Sequence, residues 1–227
     1  MRIRSVIKEP VRLRKFAEQK VPLVVVSGQF HRDVGPSFHG RQPPRCHVSN
    51  NKVTKLKPRS KPAALDTPTD LNDAAVKAVS VALNGLLADS YALYLKTKNF
   101  HWHASGPHFR DYHLLFDEQA ADILGATDDM AERVRKIGGT TLRSIGHIAK
   151  LQTIEDNDAD FVPPGVMLRE LMNDNKKVAE AMRKAHGVAD DHEDAATASL
   201  IEVWLDQTEK RTWFLFEAAR GASNDGH

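Results

Sequence analysis

Residues 76–100, VKAVSVALNGLLADSYALYLKTKNF, decide the fold. Val76, Val79, Leu83, Leu86, Ser90, Leu93, Thr97 and Phe100 step by three and four, an a/d stripe about four heptads long. Asp70 or Asn72 caps its start, and the stripe runs to about His103, where Ser105-Gly106-Pro107 breaks it. Working outward, a second helix is expected from about Phe109 to Ile137, ended by Gly138-Gly139. Thr140 to Leu151 reads as a short linking helix followed by an acidic loop. Pro163-Pro164 open a third helix to about His186, with Leu168, Leu171, Val178 and Met182 inward. Gly187 and Asp190/Asp191 make a turn and cap, and the fourth helix runs from about Glu193 to Arg220 through Ile201, Trp204, Leu205, Thr208, Thr212 and Leu215. Four long amphipathic helices with one longer connection in the middle predict an all-α four-helix bundle over residues 70–220, and the long connection permits a crossover.

The rest of the chain differs in kind. Of 227 residues, 32 are Lys or Arg and 30 Asp or Glu, yet residues 1–62 carry a net +12 and the remainder −10. Residues 1–69, with Pro22, Pro36, Pro43, Pro44, Pro58, Pro62 and Pro68 and little apolar periodicity, read as a mostly disordered basic arm. Residues 221–227 read as a short disordered tail. A single Cys excludes a disulfide scaffold and any multi-cysteine zinc site, and Cys46-His47 reads as an incidental pair. The longest apolar run, Val21 to Val26, is too short for a membrane span or a signal-peptide core. A soluble, cytoplasmic protein with no membrane partner is the expectation.

The second helix carries the chemistry. At 100° per residue His113, Asp117, Asp128 and Glu132 fall at roughly 0°, 40°, 60° and 100°, on one side of the helix. His-x-x-x-Asp and Asp-x-x-x-Glu each put two side chains one turn apart, and imidazole with carboxylates suits iron, manganese or zinc. The two pairs cannot serve one ion within one helix, because His113 and Asp128 are separated by about 22 Å along its axis. Either there are two half-sites, or two copies of the helix lie antiparallel across a two-fold axis, bringing His113/Asp117 of one chain to Asp128/Glu132 of the other. The competing reading is a solvated acidic face in which Glu132 simply pairs with Arg135 or Lys136. His101 extends the Leu87, Tyr94 column of the first helix toward the second. His103 lies about 200° from it, so the two do not chelate as a pair.

The run Lys96-Thr97-Lys98-Asn99-Phe100-His101-Trp102-His103-Ala104-Ser105-Gly106-Pro107-His108-Phe109 resembles the signature of the Dps family, the starvation-induced DNA-binding mini-ferritins. The likeness continues through Tyr112-His113-Leu114-Leu115-Phe116-Asp117-Glu118, Thr127-Asp128-Asp129-Met130-Ala131-Glu132-Arg133, Lys136-Ile137-Gly138-Gly139 and Trp213-Phe214-Leu215-Phe216-Glu217. The resemblance implies a ferritin-like bundle assembled as a homo-oligomer, a dodecameric shell. It implies iron bound between two-fold-related subunits, by His101, His113 and Asp117 of one chain and Asp128 and Glu132 of its partner. It further implies Fe(II) oxidation, by hydrogen peroxide in preference to dioxygen, with ferric mineral stored inside the shell. Trp102, beside a ligand, is similar to the family tryptophan that quenches stray oxidising equivalents; its other reading is packing. Asp190, Asp191 and Asp194, with Glu193, fall where family members line an acidic pore, although a helix N-terminus attracts acids in any case.

Lys52, Lys55, Lys57, Arg59 and Lys61 stand just before the bundle with no aromatic residues interleaved. They predict sequence-independent, salt-dependent contact with DNA phosphates, multiplied by the copies of the arm on a shell, and association with the nucleoid. Two functions compete: an iron-oxidising and iron-storing ferroxidase that protects DNA from oxidative damage, and an architectural nucleoid protein that coats DNA while its metal site is vestigial.

Overall fold

The computed structural model describes residues 65–221. The basic candidates Lys52, Lys55, Lys57, Arg59 and Lys61, and the tail from residue 222, lie outside the described residues. Five helices follow in order: α1 (Asp73–His103), α2 (Phe109–Lys136), α3 (Ile145–Leu151), α4 (Pro164–Asp191) and α5 (Ala195–Ala219), with no strand among the described residues.

The stripe of α1 does what its spacing requires. Val79, Leu83, Leu86, Leu93 and Phe100 are buried, and they meet Phe116, Ile123 and Met130 of α2, Leu168, Leu171 and Met182 of α4, and Ile201 and Leu215 of α5 in one core. Each such side chain taken out of water contributes about 1.5–3 kcal/mol. The two polar members of the stripe bond back to their own helix: Ser90 Oγ donates to Leu86 O at 2.8 Å and Thr97 Oγ1 to Leu93 O at 2.7 Å, with Ser90 Oγ also 3.7 Å from Met130 Sδ of α2. Asn72, rather than Asp70, caps α1, its side chain accepting from Ala75 N at 3.0 Å. By length and composition α1 would pass as a membrane span, but its apolar residues form the centre of this bundle.

α1 packs on α2 and α4, and α5 packs on α4 and, more lightly, on α2. Arg133 of α2 donates to Thr197 Oγ1 at the start of α5, and Gln119 of α2 donates to Arg211 O near its other end, so α2 and α5 run antiparallel. α4 and α5 also run antiparallel, since Arg183 pairs with Glu209 and His186 lies 3.3 Å from Glu202. α2 and α4 are therefore parallel, and the connection between them travels the length of the bundle as a crossover. Asp89 of α1 pins that connection, accepting from Thr153 N at 2.5 Å, Thr153 Oγ1 at 2.9 Å and Ile154 N at 3.2 Å. α2 ends as its glycines predict. Gly138 is left-handed at φ 88°, and a Cβ on Gly139 would lie 2.0 Å from Ser80 Oγ.

Three boundaries differ from the sequence expectation. The linking helix starts at Ile145, with Ser144 as its cap, instead of at Thr140, because Thr140 O is taken by Asn84 Nδ2 at 2.9 Å. α4 continues through Gly187 to Asp191, so Asp190 and Asp191 close α4 and do not begin the next helix. The turn falls instead at His192–Asp194, where Glu193 adopts φ 57° and Asp194 caps α5 by accepting from Thr197 N at 3.0 Å.

A buried ion pair joins α1 to α4. Lys96 Nζ lies 2.7 Å from Asp174 Oδ2 and 3.0 Å from Glu170 Oε1. Burial opposes the Lys96 charge, but hydrogen bonds to Asp174 and then Glu170 outweigh it and hold the ammonium above its ordinary range. Burial, the largest influence on Asp174, pushes its carboxyl up despite Lys96. Deeper in the bundle, burial lowers the Arg211 guanidinium to about 10. It stays charged at neutral pH, with Nε donating to Asn175 Oδ1 at 3.0 Å and Nη2 to Thr208 Oγ1 at 2.7 Å.

Candidate metal centre

The end of α1 and the start of α2 are joined by a tight turn, in which Gly106 takes φ 92° and Phe109 N donates to Gly106 O at 3.0 Å. This return sets the last turn of α1 against the first turns of α2. His101 Nδ1 donates to His113 O at 2.7 Å, and His113 Nδ1 donates to His101 O at 2.9 Å. The two imidazoles stack with centroids 3.8 Å apart and planes 22° from parallel. A backbone carbonyl only accepts, so each Nδ1 carries a proton and Nε2 is the nitrogen left to meet a metal ion. A fixed tautomer and ring orientation are what a ligating histidine takes from its surroundings.

Asp117, one turn beyond His113, completes the group: its Oδ1 lies 3.9 Å from His101 Nε2. Lys98 Nζ donates to the same oxygen at 2.6 Å and lies 5.9 Å from the centre of the Trp102 ring. The hydrogen bond from Lys98 is the largest influence on Asp117 and, aided by the charge of Lys98 and the histidines, holds its carboxyl below the usual range. The side chain faces solvent. Asp117 therefore remains an anion into mildly acidic solution, with an ammonium where a metal cation would otherwise balance it. Trp102 is 57% exposed.

His101, His113 and Asp117 thus come together on one chain, but they do not close a coordination sphere. Among the described residues no three His, Cys, Asp or Glu side chains converge tightly enough to hold a metal ion. Asp128 and Glu132 lie farther along α2, both exposed, with Glu132 Oε2 3.0 Å from Lys136 Nζ, one of the two pairings expected of a solvated acidic face. His103 is exposed and donates from Nδ1 to Asn99 O at 2.8 Å, apart from the histidine stack. At the other end of α2, Asp190 and Asp191 are exposed, whereas Asp194 is buried, 2.5 Å from Arg133 Nη2, and committed to capping.

Sequence reasoning did not select Lys98 as part of this group, although its position three residues before His101 puts both on one helix face. The mutual donation of the histidines to each other's carbonyls has no sequence signal at all, since it depends on how the turn returns.

Antiparallel bundle, crossover and an interhelical histidine–carboxylate group together define a ferritin-like protein, and a family model described as a ferritin-like domain matches residues 81–220. Within that class the chain belongs to the Dps family. It is 33% identical over 138 residues to a DNA protection during starvation protein of Brevibacillus brevis, covering 60% of this chain and 91% of the relative. The solved structure of DpsC from Streptomyces coelicolor superposes with a TM-score of 0.65 at 27% identity, covering 67% of this chain and 89% of that one. An archaeal Dps homologue from Halobacterium salinarum gives a TM-score of 0.65 at 26% identity, over 73% of this chain and 94% of its own.

Proposed function

We propose that the protein is a ferroxidase and iron store whose oxidation site is completed by a second copy of the chain. The observation that carries this reading is the half-site itself. Two stacked imidazoles, each tied through Nδ1 to the other's carbonyl, stand beside an exposed, ionised Asp117, and no further ligand closes the group among the described residues. The missing hard oxygen ligands are Asp128 and Glu132 of the partner, about 22 Å along the same helix, as an antiparallel two-fold pairing requires. Exposed apolar side chains support assembly: Leu95 and Trp102 on α1, Ile145 and Leu151 on and around α3, and Trp213, Phe214 and Phe216 on α5. The shell we propose is a dodecamer.

Iron is the substrate. Histidines hold Fe(II), and the carboxylates favour Fe(III). Hydrogen peroxide accepts one electron from each of two Fe(II) ions, its O–O bond breaks, and two hydroxide equivalents result without a free hydroxyl radical. Trp102 stands beside the site to intercept stray oxidising equivalents. α2 and α5 expose Glu118, Asp122, Asp129 and Asp206, acids suited to nucleating ferric mineral. We assign iron entry to the exposed acids Asp190 and Asp191, with Glu193; Asp194, the remaining acid of that turn, is held by Arg133. The test is anaerobic Fe(II) loading followed by peroxide. Rapid formation of a soluble ferric product at about one peroxide per two irons supports the reading; oxidation at the protein-free rate, with precipitation, contradicts it.

DNA protection rests on the arm. We propose that Lys52, Lys55, Lys57, Arg59 and Lys61 bind DNA phosphates without sequence preference, at the nucleoid of the cytoplasm. Removing residues 1–62 is expected to abolish the mobility shift of duplex DNA, and the intact chain's shift is expected to fade steeply as salt rises from 50 to 200 mM, by about 10³-fold or more if six or more phosphates are neutralised. An unchanged shift after the deletion refutes the role of the arm.

A further inference from the structure

The histidine stack has a third ring. Phe109, the first residue of α2, lies one turn before His113, its centroid 5.0 Å from that imidazole with planes 35° apart. It makes no ring contact with His101 among the described residues, so His113 is the ring that meets both. Phe109 is 45% exposed and is not part of the hydrophobic core; packing of the bundle does not account for its place. The bond from His113 Nδ1 to His101 O and the stacked His101 ring already restrain the imidazole. The tilted Phe109 ring adds a second restraint on the same imidazole.

We propose that Phe109 is a positioning residue of the metal half-site, holding the His113 imidazole in the orientation that presents Nε2 to the ion. The inference rests on the metal-site reading above and adds a residue whose chemistry is only apolar and aromatic. An aromatic contact of this kind is worth roughly a three- to ten-fold change in an equilibrium.

The probe is Co(II), titrated anaerobically into the assembled full-length protein and followed by its visible ligand-field bands. Wild type is expected to give saturable bands. Phe109→Ala is expected to weaken half-saturation by about three- to ten-fold and to alter the band shape. Phe109→Leu, which keeps apolar bulk without the ring, should behave like Phe109→Ala, while Phe109→Tyr restores both affinity and bands. Should Phe109→Ala fail to assemble, the Leu and Tyr variants decide alone. Wild-type titrations from the Leu variant, or failure of Tyr to rescue, overturn the proposal. A wild type that binds no Co(II) overturns the metal-site reading itself, and does so before any variant is compared.

Discussion

Replacing Asp128 and Glu132 together by alanine is expected to bring Fe(II) oxidation down to the protein-free rate and leave the fold intact. Both side chains are exposed, and among the described residues the only pairing lost is the surface contact of Glu132 with Lys136. Such changes usually move stability by no more than about 0.5 kcal/mol. The catalytic loss is large because the histidine half-site offers one carboxylate, itself already engaged by Lys98. A melting curve unchanged within a few degrees beside lost ferric absorbance is the predicted pair of results. Retained oxidation would mean that the acidic end of α2 is the solvated face its charges alone suggest.

The second large effect is structural. Lys96→Met should destabilise the bundle by about 3–5 kcal/mol at neutral pH, because it leaves the buried Asp174 carboxylate without its nearest cation. Lys177, 4.0 Å from the other oxygen, is half exposed and compensates poorly. Burial raises the Asp174 carboxyl in the folded state, so this group favours folding when protonated and disfavours it progressively as pH rises through its folded pKa. Losing Lys96 strengthens that trend. The deficit of the variant relative to wild type should therefore shrink on acidification from neutrality toward the carboxyl range. Urea melts of both proteins at several pH values measure it, and a deficit that grows on acidification would contradict the assignment.

The bundle was legible in the sequence wherever burial has the 3.6-residue period, above all in α1, where even Ser90 and Thr97 fall in the core. The bounds of α4 were not legible. Gly187 looks like a stop, but a glycine costs a helix interior only about 1 kcal/mol, and Ala185 and Ala189 around it are buried against the core side. The true turn uses Glu193 at φ 57°, a conformation that no turn residue announces. Asp194 illustrates the same limit, since its counterpart Arg133 is distant in sequence and the acidic run around it hides a buried cap. At the metal centre the ligand types and their spacing were readable, because one helical turn is a fixed distance. The ring stack, the carbonyl clasp and the grip of Lys98 on Asp117 arise from the return of the chain at Gly106, which brings residues 12 apart into hydrogen bonding.

The most direct test of a site shared between two chains is complementation. One variant carries His113→Ala with Asp117→Ala, the other Asp128→Ala with Glu132→Ala. Each alone should be inactive. Unfolded and reassembled together in equal amounts, they should recover about a quarter of the wild-type oxidation rate, because one site in four then draws an intact histidine half from one chain and an intact acidic half from its partner. No recovery from co-assembled, folded protein would contradict the shared site.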